Sequence, residues 1–398
     1  MSEMGALEGV RVVDAGLLVQ GPQAALMLAD FGADVIKVEL PGFGDQARWI
    51  PLSANDLRTP YYEACNRGKR SVTMDLRVPE GREAFLDLVD TADVVISNFK
   101  PGTLDDWGLG YDVVAGRNPR VVYATGSTFG PEGPDATLEG ADLAGQAAGG
   151  LISTTGTDGG PLTPVGVTIA DHTASQNMTA GILAALLARE RTGRGQQVDV
   201  SLLGGQVYAQ ASEYTAFLMT GQVPGRANRG HPLLPMAYGI LPTADGYLAL
   251  VGVLPDRREA FYSAVGCPEL AEDPRFQGMM FTTEARLELF ELLAEYFPRA
   301  TTAQWVERLR DIGVRCAPVD DYARASENPQ VTINGYLTEV DHPAGGTTRV
   351  VGSPIRLSDT PARPSAAAPE LGQHTEEVLL ELGYDWDRIA ALREAGAI

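Results

Sequence analysis

The carboxylate with the most chemical promise is Asp171, which closes the strand-like segment Val165–Ala170 and opens the most apolar helical stretch of the chain. Two readings fit it. It can be a helix N-cap that accepts backbone N–H bonds. It can equally be a carboxylate nucleophile held at a helix start, where backbone donors also stabilise an oxyanion. Position alone favours the cap, and spacing does not separate the two. Other chemistries fail on spacing. Cys65, Cys267 and Cys316 form an odd set without paired spacing, so neither a disulfide framework nor a zinc knuckle is expected. His172, His231, His342 and His374 are scattered, and no two-histidine pair falls at helical spacing, so no metal site is expected. Gly108-Leu-Gly110 and Gly193-Arg-Gly195 begin like a dinucleotide fingerprint but lack its third glycine and its strand-to-helix setting. A phosphate-loop lysine, a nucleophile-elbow serine and a zinc-protease helix are all missing.

The elements that must position Asp171 alternate. Gly9–Asp14, Val35–Glu39, Ser71–Leu76, Ala92–Ser97 and Val121–Thr125 are β-rich runs, and helical segments open at Gly21-Pro22 and at Pro79-Glu-Gly81. Strands separated by helices predict parallel pairing and an α/β, doubly wound sheet. From Asp171 to Arg189 the chain is apolar almost all round, which predicts a helix buried on most of its circumference. Gly221–Pro235 is rich in Gly, Pro and Arg and marks a boundary. A smaller α+β unit follows, and Thr360–Pro369 is a second connector. At 398 residues two lobes are expected, and 44% apolar with 21% charged residues excludes a disordered chain. The formal charge of −21 repels nucleic acid and anionic lipid, so neither is an expected partner. The longest apolar stretch, Ala180–Ala188, falls short of a bilayer span of roughly 20 residues. Met-Ser-Glu-Met-Gly lacks signal-peptide features, so a cytoplasmic protein is expected.

Ordered motifs along nearly the whole chain carry a resemblance. They are Leu7-Glu-Gly-Val-Arg-Val-Val-Asp14, Asp30-Phe-Gly-Ala-Asp-Val-Ile-Lys-Val-Glu39 and Asn66-Arg-Gly-Lys-Arg-Ser-Val72. Further on stand Ala92-Asp-Val-Val-Ile-Ser-Asn-Phe-Lys-Pro-Gly102, Thr192-Gly-Arg-Gly-Gln-Gln-Val-Asp-Val-Ser201 and Leu371-Gly-Gln-His-Thr-Glu-Glu-Val-Leu-Leu-Glu-Leu-Gly383. The chain resembles the class III coenzyme A transferases, the CaiB/BaiF family, which includes formyl-CoA transferase and the related α-methylacyl-CoA racemases. The resemblance implies a Rossmann-like large domain built from both chain ends, an inserted small α+β domain and an interlocked homodimer. The composition boundaries suit this, with residues 1–222 and 330–398 in the large domain and 223–329 in the small one. It also implies an aspartate nucleophile at Asp171, supported by Asp142 and Gln146, with no cofactor beyond CoA as co-substrate and a small carboxylic acid as the other substrate.

CoA carries several phosphate charges, so an acidic protein needs a local cluster of cations to hold it. Arg67, Lys69, Arg70 and Arg77 crowd one segment, and Lys37 and Lys100 end neighbouring strands. These six are either CoA-phosphate partners or solvated surface charges. Position at strand C-termini favours Asn98, Phe99 and Lys100 as ligand contacts. By resemblance Val19, Gln20, Met74 and Arg77 also border CoA. The racemase alternative needs two proton-transfer groups on opposite faces of a carbon. The racemases have a histidine in a Gly-His-Asp segment where this chain has Gly140-Ala141-Asp142. A CoA-ester-binding paralogue without turnover is the non-enzymatic alternative. The glycine-rich flap of formyl-CoA transferase-like members has no counterpart between Met219 and Gly246, which disfavours formate and oxalate as the substrate pair.

Overall fold

A computed structural model describes residues 4–398 except 56–57, 227–229, 279, 342–345 and 364–365. His342 and parts of both proposed connectors therefore lie outside the described residues. The chain divides into two compact units, one of Met1–Gly149, Gly166–Ala209 and Asn328–Ile398, the other of Gly150–Val165 and Gln210–Glu327.

The first unit is built on six parallel strands: β1 (Arg11–Asp14), β2 (Asp34–Glu39), β3 (Arg70–Thr73), β4 (Val94–Ser97), β5 (Val122–Ser127) and β6 (Gln197–Ser201). Their order across the sheet is β3-β2-β1-β4-β5-β6, all pairs parallel. This is the doubly wound order in which the chain reverses direction between β1 and β4. The β-branched runs make the inner strands because both sheet faces are covered, and β4 (Val-Val-Ile-Ser) is buried throughout. Helix Gln20–Asp30 packs one face with Ala24, Ala25 and Leu28, and Pro22 fits its first turn, where no intrahelical N–H bond is lost. The run Ser71–Leu76 is not one strand. The ladder stops at Thr73, and the Asp75 N–H turns aside to the Ala397 carbonyl at 2.8 Å.

The helix Ile169–Thr192 departs from expectation. It buries one stripe, Ala170, Ala174, Met178, Ile182, Ala185 and Leu186, while Leu187 is 66% exposed. Its apolar circumference is therefore only half used within the chain. The second unit is smaller: an antiparallel sheet of Tyr238–Pro242, Tyr247–Val251 and Cys316–Pro318 covers a core of Phe261, Phe276, Leu289, Leu293, Phe297 and Trp305. No helix among the described residues is long and apolar enough to cross a membrane.

Candidate active site

Loops leaving β1, β4 and β5 at their C-terminal ends enclose a cavity of about 420 Å³ lined by Leu17, Leu18, Gln20, Asn98, Ser127 and Asp171, among others. It lies where the sheet order reverses, the place in which open α/β sheets bind ligands. The β1 loop is held rigidly there. Asn98 clamps Leu17 twice, its Oδ1 accepting the Leu17 N–H at 2.6 Å and its amide donating to the Leu17 carbonyl at 2.9 Å. The Leu18 N–H donates to Asp45 Oδ1 at 2.9 Å, and Asp45 pairs with the fully buried Lys37 at 2.8 Å. The Lys37 ammonium also bonds the Gly16 carbonyl. Leu18 has φ +60°, and no other non-glycine residue described has a positive φ. A β-carbon in that region costs about 1–3 kcal/mol, so the clamps hold a strained turn at the cavity rim. Asn98 and Asp45, which follow β4 and β2, thus occupy the Leu17 and Leu18 donors.

Asp171 is the third residue of the helix Ile169–Thr192, and it does not cap it. Asp142 does, from another helix: its Oδ1 accepts the Ala170 N–H at 2.7 Å and the Asp171 N–H at 3.3 Å. Both readings of Asp171 change as a result. The N-cap role belongs to Asp142, and these two N–H groups are not available to an oxyanion. The Asp171 carboxylate itself makes no hydrogen bond among the described residues. Burial, then the charge of Asp142, raises its pKa to about 7. The buried Gln146 donates to Asp142 Oδ2 at 2.6 Å and to the Val167 carbonyl at 3.3 Å, tying the cap to the strand-like approach. An Asp142→Asn variant keeps the cap oxygen and removes the charge. The acid limb of the kcat/KM profile, expected near pH 7, should move down in this variant, and an unmoved limb would show that Asp142 does not set it.

His172 is turned away from this carboxylate. Its Nδ1 hydrogen-bonds Gln23 Oε1 and its Nε2 the Thr168 hydroxyl at 3.2 Å, while burial lowers its pKa. Gln20 is buried with its amide 3.4 Å from the Ser127 carbonyl. A β-carbon on Gly126 would stand 2.4 Å from Gln20 Oε1, so glycine alone lets this side chain in. Val19 is buried at the start of the same helix and is not in the cavity wall.

A second cavity of about 220 Å³ shares Leu17, Gln46 and Phe99 with the first and extends to Phe43, Met74, Arg77 and Trp107. Met74 and Arg77 thus stand together, and Asn98, Phe99 and Lys100 line the Asp171 cavity. The basic cluster is a different matter. Arg67 is buried against Asp30 at 2.8 Å, Lys69 against Asp14 at 2.7 Å, and Arg70 bonds Asp34, Glu377 and Glu381. Arg67, Lys69 and Lys37 are internal counter-ions, because a charge that leaves water must be paired, while Arg70 is engaged in a part-exposed ion-pair network. Arg77 is exposed but chelates Asp75 at 2.7 Å. Lys100 is exposed and makes no ion pair among the described residues. Sequence reasoning missed Leu17, Leu18, Gln46, Phe43 and Trp107. Only the apolar type of the two aromatics hinted at a ligand wall.

A parallel sheet in this order, with an unpaired carboxylate in the cleft of its reversal, defines an α/β protein that works on a ligand at its strand ends. Comparison with known proteins narrows the class. A succinyl-CoA:mesaconate CoA-transferase of Haloarcula marismortui is 36% identical, over 96% of this chain and 98% of its own. A formyl-CoA:oxalate CoA-transferase of Streptomyces coelicolor is 34% identical, over 99% of each. The crystal structure of a CaiB/BaiF family protein from Brucella suis superposes with a TM-score of 0.84 at 33% identity, covering 95% of this chain and 99% of that one. The pattern of CoA-transferase family III matches residues 7–375, and the chain belongs to that family. It is an enzyme of the CoA-transferase type.

Proposed function

We propose that this enzyme moves CoA from an acyl-CoA to a carboxylic acid through covalent intermediates on Asp171. The observation that carries this is the Asp171 carboxylate itself, free of hydrogen bonds, its pKa near 7, in the switch-point cavity. A carboxylate of raised basicity is a stronger nucleophile than an ordinary one. Asp171 attacks the donor thioester and forms a mixed anhydride as CoA thiolate leaves. The thiolate attacks the aspartyl carbonyl, which releases the donor acid and leaves an aspartyl-CoA thioester. The acceptor carboxylate attacks that thioester and expels the thiolate, which then takes the new acyl group and frees Asp171. Each step exchanges similar acyl species, so the chemistry calls for no metal or redox group. Asp142 and Gln146 position the nucleophile. Asn98, Phe99, Lys100, Met74 and Arg77 border the CoA path, with Gln20 at the acyl end, and the large domain drawn from both chain ends binds CoA.

Both relatives above have a dicarboxylic acid in their names, mesaconate in one and oxalate in the other. A dicarboxylic acid is accordingly the first acceptor class to assay, oxalate ranking low for want of the flap. Racemase chemistry is disfavoured because Ala141 transfers no proton and both nitrogens of His172 are engaged. Incubation with an acyl-CoA followed by hydroxylamine should mark the peptide that carries Asp171. An unmarked Asp171 under turnover conditions rejects the mechanism.

The half-used apolar helix Ile169–Thr192, with Leu187 and Tyr208 (76% exposed), supports an interlocked homodimer. Sedimentation at micromolar concentration should give a dimer that dilution does not dissociate, and a monomer there refutes it.

A further inference from the structure

The chain has only three lysines against 28 arginines. Lys37 and Lys69 are fully buried within the fold, both in carboxylate pairs. Lys100 is therefore the one lysine amine that solvent or a ligand reaches. It also lines the cavity that holds Asp171, and continues into a neighbouring cavity of about 310 Å³ with Thr125, Gln197 and Asp199. Arginine serves everywhere else on the surface. A guanidinium stays charged and does not acylate at neutral pH, whereas an amine has a protonation equilibrium and a nucleophilic free form.

We propose that Lys100 is a self-acylation site, modified by the acyl-CoA bound in its own cavity. The inference rests on the reading of that cavity as the acyl-CoA site. The ammonium first loses a proton to water. The free amine then attacks the thioester carbonyl, a carbon–nitrogen bond forms as the carbon–sulfur bond breaks, and the departing sulfur takes the proton shed by nitrogen. The products are an amide on Lys100 and free CoA thiol. Binding makes the step intramolecular in effect and raises its rate above that of a free amine. The outcome differs from the Asp171 cycle in one respect: an amide is not a leaving group for a carboxylate, so the modification accumulates. It removes the cavity's unpaired cation. With a dicarboxylic acyl group it puts a negative charge in its place, which opposes the CoA phosphates. Acyl-CoA that outlasts the supply of acceptor acid would thus lower the enzyme's own affinity for it.

The test uses the purified full chain incubated with succinyl-CoA at pH 8 without acceptor, then hydroxylamine, then peptide mass mapping. Hydroxylamine strips anhydride and thioester from Asp171 and leaves amides. The expected result is a succinyl amide on Lys100 and on no other lysine, formed at least tenfold faster than on Nα-acetyl-lysine, slowed by excess CoA, and accompanied by a tenfold or greater rise in KM. Lys100→Arg, whatever its starting KM, should show no drift over the same incubation. Acylation no faster than that of Nα-acetyl-lysine, or unaffected by CoA, overturns the proposal. Asp171→Asn separates the two readings, because direct attack on the thioester does not need the aspartate. A Lys100 amide in that variant supports direct attack. A wild-type enzyme that marks Lys100 but never Asp171 defeats the covalent cycle alone, and one that marks Asp171 but never Lys100 defeats this inference alone.

Discussion

Asp171→Asn is expected to lower CoA transfer by about 10³-fold or more while making the protein more stable at neutral pH. The two effects share one cause. In the unfolded chain this carboxyl titrates near its ordinary value, about 3.9, and in the fold near 7. The folded state therefore holds a proton that the unfolded state has released. Between about pH 4 and 7 ionising the buried carboxyl removes stability at up to about 1.4 kcal/mol per pH unit, and above 7 the penalty is constant. Partial exposure and relaxation reduce the total, so a gain of about 1–3 kcal/mol at pH 8 is expected for the asparagine. Urea unfolding at pH 4 and pH 8 checks the sign: the curves of wild type and variant should coincide at the lower pH and separate at the higher. Equal stability at pH 8 would mean that Asp171 is not held out of water as described.

Lys37→Met should have the opposite character, destabilising the fold by about 3–5 kcal/mol. Burial alone would pull the ammonium down, but Asp14, Asp45 and Glu39 outweigh it and hold its pKa above the usual lysine value. Methionine fills the same volume, so little of the loss comes from packing. It comes from Asp45, whose carboxylate is left buried without its cation, and from the Gly16 carbonyl, which loses its donor. Asp45 also holds the Leu18 N–H, so the turn at the cavity rim loosens and KM for acyl-CoA should rise with the loss of stability. Denaturant midpoints and initial rates on the same preparations measure both. Replacing Asp45 by asparagine in the same chain removes the orphaned charge and should recover part of the stability, a coupling that separate surface charges would not show.

Much of this was readable in the residues. Val12-Val13, Val35–Val38 and Val94–Ile96 fall in the runs expected to be strands, because inner parallel strands need both faces apolar and such runs are conspicuous. Asp171 was singled out as a nucleophile by the family resemblance, because an acid at the start of an apolar helix is by position alone most readily a cap. The identity of the cap was not readable. Asp142 reaches Ala170 from 28 residues away, and no local pattern encodes that approach. The basic segment misled for a related reason. Composition registers Arg67, Lys69 and Arg70 as positive, but their partners Asp30, Asp14 and Asp34 come from other elements, and only folding reveals that the charges are already spent. The αL turn at Leu18 was invisible too, since leucine is the last residue that a left-handed position suggests.

The same turn bears on how such an enzyme can change over time. A leucine held at φ +60° and an acid kept from ionising freely are both places where the fold forgoes stability it could have. Glycine at the first and asparagine at the second are each one substitution away from relief. Lineages under pressure only to survive heat would drift toward both and arrive at a sturdier, silent protein. Hardening this scaffold for use therefore has to look elsewhere, in the second unit, and leave the rim of the cavity as uncomfortable as it is.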